Sequence, residues 1–327
     1  MCSFFKYKVL KIEYKIAYNK KNIFALYFFQ KQKKGMHKLA FWAGFLCLAA
    51  LTACEREMSL PVYLQIDSVR FTSSYYTEGT ASTNITDVWV TVNGKSVGVY
   101  ELPATVPVIA SGHSTVQMTP GIKMNGMTVY RPSYPFYSAD VCELELEPTN
   151  VYAITPSITY LPDVVFDFKE DFEDAGIKFQ PVDKSVGMSK TSDPSQVFRY
   201  LNEKSNYSGL IRLLPEDSSF FEVETSKTFV KSSKATYYFL EMNYCFTHNV
   251  EVGIYYHYGG RNYQYPICGI YGYKERGGAS GWKKAYVNLS EAVNSIQVSD
   301  YEVYFKGIRK GTDTALYLFD NIKVLYN

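Results

Sequence analysis

The chain has 327 residues, 34 basic against 32 acidic side chains, and an aromatic content of 17% that includes 30 tyrosines and 21 phenylalanines. So even a charge balance gives a nucleic-acid or other polyanion partner no compositional support. The six cysteines are widely spaced with no Cys-x-x-Cys, which excludes both a disulfide framework and a metal knuckle; Cys245 and Cys268 would pair only on adjacent strands, and buried thiols are the simpler expectation.

Residues 1–35 are rich in Lys, Tyr, Phe, Ile and Asn, lack an apolar period and end directly before a second methionine, Met36. They are expected to be a non-native upstream extension and are set aside from the fold. Residues 36–53 have the form of a signal peptide: a basic patch at Met36-His37-Lys38, then an apolar run from Leu39 to Ala53 that is too short to span a membrane comfortably. Its end, Leu51-Thr52-Ala53-Cys54, resembles the lipobox of bacterial lipoproteins. The resemblance implies cleavage before Cys54, lipid attachment to that cysteine and a tether over 54–59. Glu55 and Glu57 behind it resemble the sorting signal of Bacteroidetes lipoproteins, which implies a lipid anchor in the outer membrane and exposure at the cell surface.

After the tether, short runs bounded by Gly, Pro, Asn and Ser recur with no sustained 3.6-residue period, so the predicted class is all-β. Residues 60–162 are expected to form a small immunoglobulin-like β-sandwich. Its clearest element is Asp87–Val92, Asn93-Gly94, Lys95–Tyr100, because Asn-Gly supplies the two positive-φ residues of a type I′ hairpin turn. Further strands are expected at 62–71, 113–118, 127–131, 141–147 and 152–155, with prolines at loops and edges. A boundary is placed at Leu161-Pro162-Asp163, and acids then crowd around Phe168 and Phe172.

Residues 163–327 carry strand-like runs at 235–244, 250–258, 282–289, 301–308 and 315–326. Three motifs, Phe172-Glu173-Asp174, Gly281–Leu289 and Leu316–Val324, resemble the jelly roll of xylan- and glucan-binding carbohydrate-binding modules. That resemblance implies a jelly-roll β-sandwich and a structural calcium held by Glu173 and Asp320, with Asp171 or Asp174 as helpers; no other cofactor is expected. Calcium takes six to eight oxygens, so two carboxylates would be only part of a site.

Sugar recognition needs flat aromatic faces beside hydrogen-bonding groups. Reading strands with a period of two puts Glu251, Tyr255 and His257 on one face, Trp282, Lys284, Tyr286 and Asn288 on another, and Glu241 with Asn243, Tyr237 and Phe239. If these strands are neighbours, Glu241, Tyr255, His257, Trp282, Tyr286 and Asn288 line one groove; the alternative is that the tyrosines simply cover a sheet and Trp282 packs the core. The segment Tyr258–Tyr265 is expected to be a loop. Asp67-Ser68-Val69 and Asp313-Thr314-Ala315 match a short O-glycosylation sequon of Bacteroidetes, making Ser68 and Thr314 candidates if exposed.

No catalytic signature is found: the carboxylate runs of jelly-roll glycosidases and the Gly-x-Ser-x-Gly elbow are absent, and the histidines stand apart from Ser, Cys or metal-ligand spacing. The expected function is non-catalytic binding of a polysaccharide or glycoprotein by the jelly roll. The alternatives are an adhesive protein that binds other surface proteins and a hydrolase of unrecognised type.

Overall fold

The computed structural model describes residues 60–201, 203, 205–216, 219–272, 281–295 and 299–327. The expected signal peptide, Cys54 and the expected tether lie outside the described residues. The N-terminal lobe contains β1 (Val62–Ile66), β2 (Arg70–Phe71), α1 (Tyr75–Glu78), β3 (Ile85–Val92), β4 (Lys95–Glu101), β5 (Ala104–Val108), β6 (Gly112–Ile122), β7 (Asp140–Leu146), β8 (Val151–Ala153) and β9 (Ser157–Ile158). A three-stranded sheet, β5-β1-β8, packs on a four-stranded one, β4-β3-β6-β7. Every second residue of β1, β3 and β6 faces inward, and Val62, Leu64, Ile66, Val88, Val90, Val116 and Met118 make the core. β1 runs antiparallel to β5 and parallel to β8.

The hairpin turn is as expected, with Asn93 and Gly94 at φ 50° and 74°. The strand expected over 127–131 is instead a loop. Asn125 and Gly126 both take positive φ, and Met127 N–H closes a turn on the Met124 carbonyl, which stops the chain from continuing extended. Pro120 lies inside β6, but where that strand has run past the last β7 pair, Met118↔Asp140. The segment around Ser133 takes the place of β7 there, with the Tyr134 N–H donating to the Pro120 carbonyl, so this proline stands inside a paired strand where a loop or edge was expected.

The C-terminal lobe is a two-sheet sandwich of β10 (Val165–Glu170), β11 (Phe179–Pro181), β12 (Ser189–Thr191), β13 (Ser208–Leu213), β14 (Phe220–Thr225), β15 (Phe229–Val230), β16 (Tyr238–Phe246), β17 (Val250–Tyr258), β18 (Arg261–Ile270), β19 (Lys283–Asn288), α2 (Ser290–Ser295), β20 (Asp300–Ile308) and β21 (Ala315–Tyr326). One sheet has the order β12-β13-β21-β16-β19, with β10 also on β21; the other is β11-β14-β20-β17-β18, with β15 also on β20. Leu240, Val252, Ile254, Val303, Phe305, Phe319 and Val324 fill the space between them. The expected loop at 258–265 is a two-residue turn, Gly259-Gly260 at φ 59° and 74°, and residues from Arg261 onward belong to β18. Cys142, Cys245 and Cys268 are thiols on β7, β16 and β18.

The two sandwiches are not held at arm's length. A third apolar cluster joins Phe71, Ile122, Met124, Tyr134, Phe136, Tyr137, Ile158 and Tyr160 of the first lobe to Phe239, Tyr286 and Leu325 of the second. Residues 60–327 therefore form one compact unit. The outer face of the β21-containing sheet is buried against the first lobe, and we call it the seam face; the outer face of the β20-containing sheet is the open face. Among the described residues no helix is long and apolar enough to cross a membrane.

Candidate functional site

The six residues expected in one groove divide between these two faces. Glu241 and Tyr286 belong to the seam, where both are fully buried. Glu241 accepts hydrogen bonds from the hydroxyls of Tyr134 at 2.8 Å and Tyr160 at 2.9 Å, and pairs with Lys284 at 2.6 Å. The Tyr286 hydroxyl accepts from the Asn84 N–H at 2.9 Å and lies 3.1 Å from that of Tyr137. Neither side chain reaches a solvent groove. The alternation of β16 and β19 was read correctly, but the face it defines is covered by tyrosines that lie over 80 residues away in the chain.

A bulge completes this network. Between Glu241 and Asn243 of β16 the partner register on β21 jumps from Lys323 to Asp320, and Asn321 takes φ 48°. The extra residue turns Lys323 toward the seam, where its Nζ donates to the Thr80 carbonyl at 3.1 Å and the Tyr160 hydroxyl at 3.3 Å. Desolvation raises the Glu241 carboxyl, but Lys284 and Lys323 outweigh it and hold the group below its ordinary value. Burial, joined by the nearby Lys284 charge, pushes Lys323 down to about 7.

Trp282 packs its ring edge-on to Phe198 at 5.3 Å between centroids, away from Tyr255 and His257. Asn288 caps the start of α2 by accepting the Ser290 N–H at 2.8 Å. The two residues expected to hold calcium have hydrogen-bond partners within the chain. Both oxygens of Glu173 are taken by Asn206 and the Tyr207 N–H, while Asp320 is held by Ser208 at 2.5 Å and by the Asn321 N–H. Among the described residues no group of three or more His, Cys, Asp or Glu is arranged to hold a metal ion.

Tyr255 and His257 are on the open face. Residues 250, 252 and 254 of β17 point into the core, leaving 251, 255 and 257 outward, as read from the sequence. Around them β14 and β20 contribute Glu222, Glu224, Glu302, Tyr304 and Lys306, and β18 contributes Gln264, in register as Tyr255↔Gln264 and Tyr255↔Glu302. Glu222 is the hub. It accepts from the Tyr255 hydroxyl and from Gln264 Nε2 at 2.7 Å, and pairs with Lys306 at 3.1 Å. Tyr304 donates to Glu251 at 2.8 Å, and His257 Nδ1 lies 2.7 Å from Asp300.

Two aromatic rings pack together here, Tyr255 half-buried and Tyr304 fully buried beside it. Tyr255 and Tyr304 lie 4.9 Å apart, and the Tyr304 ring crosses directly over Gly253. A Cβ on residue 253 would sit 2.5 Å from that ring, so glycine is what allows it to lie flat on the sheet. Burial and then the hydrogen-bonded carboxylate raise both phenols well above their ordinary value, so they remain protonated donors. Burial also raises Glu302, against the opposing pull of Thr228 and His257. Sequence reasoning missed Glu222 and Gln264, because β14 was not recognised and the first half of β18 was taken for a loop; Tyr304 lies on a strand that was expected, but the faces of that strand were not read. The alternation Phe221, Val223 inward and Glu222, Glu224 outward is the signal that marks β14.

No protein-family model matches the sequence, and comparison with curated proteins finds no relative. Among solved structures, the chain is similar to the xylan-binding domain CBM22-2 of Xyn10C from Paenibacillus barcinonensis, at 13% identity and a TM-score of 0.34, covering 49% of this chain and 99% of that domain. It is also similar to the CBM22-1–CBM22-2 tandem of the same protein, at 11% identity and a TM-score of 0.35, covering 73% and 91%. A third is the module TmCBM61 in complex with β-1,4-galactotriose, at 14% identity and a TM-score of 0.27, covering 46% and 87%. These three are carbohydrate-binding modules.

Proposed function

We propose that the protein is an outer-membrane lipoprotein, anchored through Cys54, that binds a polysaccharide or the glycan of a glycoprotein without cleaving it, on the open face of its jelly roll. One observation carries this reading: the half-buried Tyr255 ring, packed on the buried Tyr304, stands beside the exposed Gln264 amide and the edge of Glu222 on the jelly-roll face that lies away from the first lobe. Aromatic rings take the C–H face of a pyranose, and amide and carboxylate groups take its hydroxyls. Glu222 is tied to Tyr255, Gln264 and Lys306, which suits a fixed acceptor more than a glycosidase nucleophile. Ser68 and Thr314 are both exposed, as O-glycosylation would require.

Affinity electrophoresis against plant, mucin and microbial polysaccharides tests the binding. Retardation by one polymer class, abolished in Tyr255→Ala, is the expected result. Migration unaffected by every polymer would favour a protein-binding surface instead. For the anchor, metabolic labelling with a fatty acid is expected to mark the wild type and to spare Cys54→Ser.

A further inference from the structure

A separate cavity of about 380 Å³ lies where the loop between β6 and β7 meets the jelly roll. Tyr130 stands on the N-terminal-lobe side and Tyr237, just before β16, on the other; they are 50% and 43% exposed. Between them the floor is buried aromatic surface, Tyr134 and Phe239, whose rings meet edge-on at 5.1 Å. That floor is rigid, because the Tyr134 hydroxyl is tied to Glu241 beneath it. Two projecting rings over a fixed aromatic floor make a clasp whose walls need not be rebuilt on binding.

The hydrogen-bonding groups at the rim are neutral. Asn288 is one; its Oδ1 is engaged by the Ser290 N–H, so its amide N–H groups are what it presents to a ligand. Ser133 supplies a hydroxyl. Among the described residues that line the cavity none is charged, whereas the larger cleft of about 540 Å³ beside α1 is lined by Asp167, Lys169, Asp171 and Lys227.

We propose that this inter-lobe cavity is a second sugar-binding site, which clasps one neutral pyranose residue between Tyr130 and Tyr237. A uronate or sulfated sugar would enter without a counter-charge and lose its hydration uncompensated. A wholly apolar ligand would leave the Asn288 and Ser133 donors unserved. The cavity volume lies within the range of small-molecule sites. This site shares no residue with the open face and stands independently of it. Because its walls come from both lobes, an occupied cavity also ties the lobes together.

Saturation-transfer NMR on the Tyr255→Ala protein, which silences the open face, tests the proposal with methyl β-glycosides of glucose, galactose, xylose and mannose, and methyl glucuronide as the charged control. The expected result is transfer to at least one neutral glycoside and none to the glucuronide. Adding Tyr130→Ala and Tyr237→Ala should weaken that binding about tenfold or more, the cost of losing one good aromatic contact. Both rings project from the surface, so a melting curve near that of the Tyr255→Ala parent is expected to confirm that the triple variant is folded. Absence of transfer in the Tyr255→Ala protein, undiminished transfer after the two further substitutions, or equal transfer to the glucuronide would overturn it.

Discussion

The seam face and the open face of the jelly roll use the same residue types to opposite ends. Each sets tyrosine hydroxyls against glutamate with lysine alongside: Tyr134, Tyr160, Lys284 and Glu241 on one, Tyr255, Lys306 and Glu222 on the other. On the seam every partner comes from within the folded chain and the cluster is dry. On the open face the same chemistry is only partly covered: Tyr255 and Lys306 reach solvent, while Glu222 beneath them is buried. An aromatic–acidic stripe therefore does not by itself say which face is covered; only the rest of the fold does.

Removing each cluster should separate stability from binding. Glu241→Ala leaves Lys284 and Lys323 buried without their carboxylate and is expected to cost about 3–5 kcal/mol in urea unfolding; a loss below about 1 kcal/mol would mean that water enters the seam. Tyr286→Phe keeps the ring but leaves the Asn84 N–H without its acceptor, and should cost about 1–3 kcal/mol.

Acid–base titration gives a third contrast. Lys323 titrates near 7 in the fold and at its ordinary 10.5 when unfolded, so between these values the unfolded chain holds the extra proton and stability rises with pH. The slope approaches about 1.4 kcal/mol per pH unit and disappears below about pH 7. Lys323→Met should flatten it; an unchanged slope would show that another group is responsible.

The smallest effect on folding is expected at Tyr255→Ala, within about 1 kcal/mol, because this ring is partly exposed and its partner Glu222 keeps Gln264 and Lys306. Loss of polysaccharide retardation with an almost unchanged melting curve would sharpen the comparison. A collapsed fold would erase it.

Much of this was legible in the sequence because strand alternation is local. The type I′ hairpin at Asn93-Gly94, β17 and β21 have the expected bounds or turn, and the outward sets of β16, β17 and β19 were assigned correctly. Which outward set stays wet was not legible. Tyr134, Tyr137 and Tyr160 cover Glu241 and Tyr286 from positions that no periodicity connects to β16. The bulge at Asn321 that brings Lys323 to Glu241 has no local signal either, since it is an insertion relative to a partner strand and not a property of β21 alone. Short strands such as β11, β12 and β15, of two or three residues, are fixed by pairing and carry too few positions to show a period.

The parallel pairing of β1 with β8 has a mechanical consequence. The chain enters the N-terminal lobe at the start of β1 and leaves it beyond the end of β8, and the two strands are in register at Tyr63↔Val151, Leu64↔Tyr152 and Gln65↔Ala153. Tension between those two points pulls parallel neighbours in opposite directions along their length. Their hydrogen bonds are then strained together in shear, not peeled apart one at a time, and the parallel β2–β9 pair beside them is loaded in the same sense. A load applied between residue 60 and the jelly roll would thus be carried through the lobe's most force-resistant geometry.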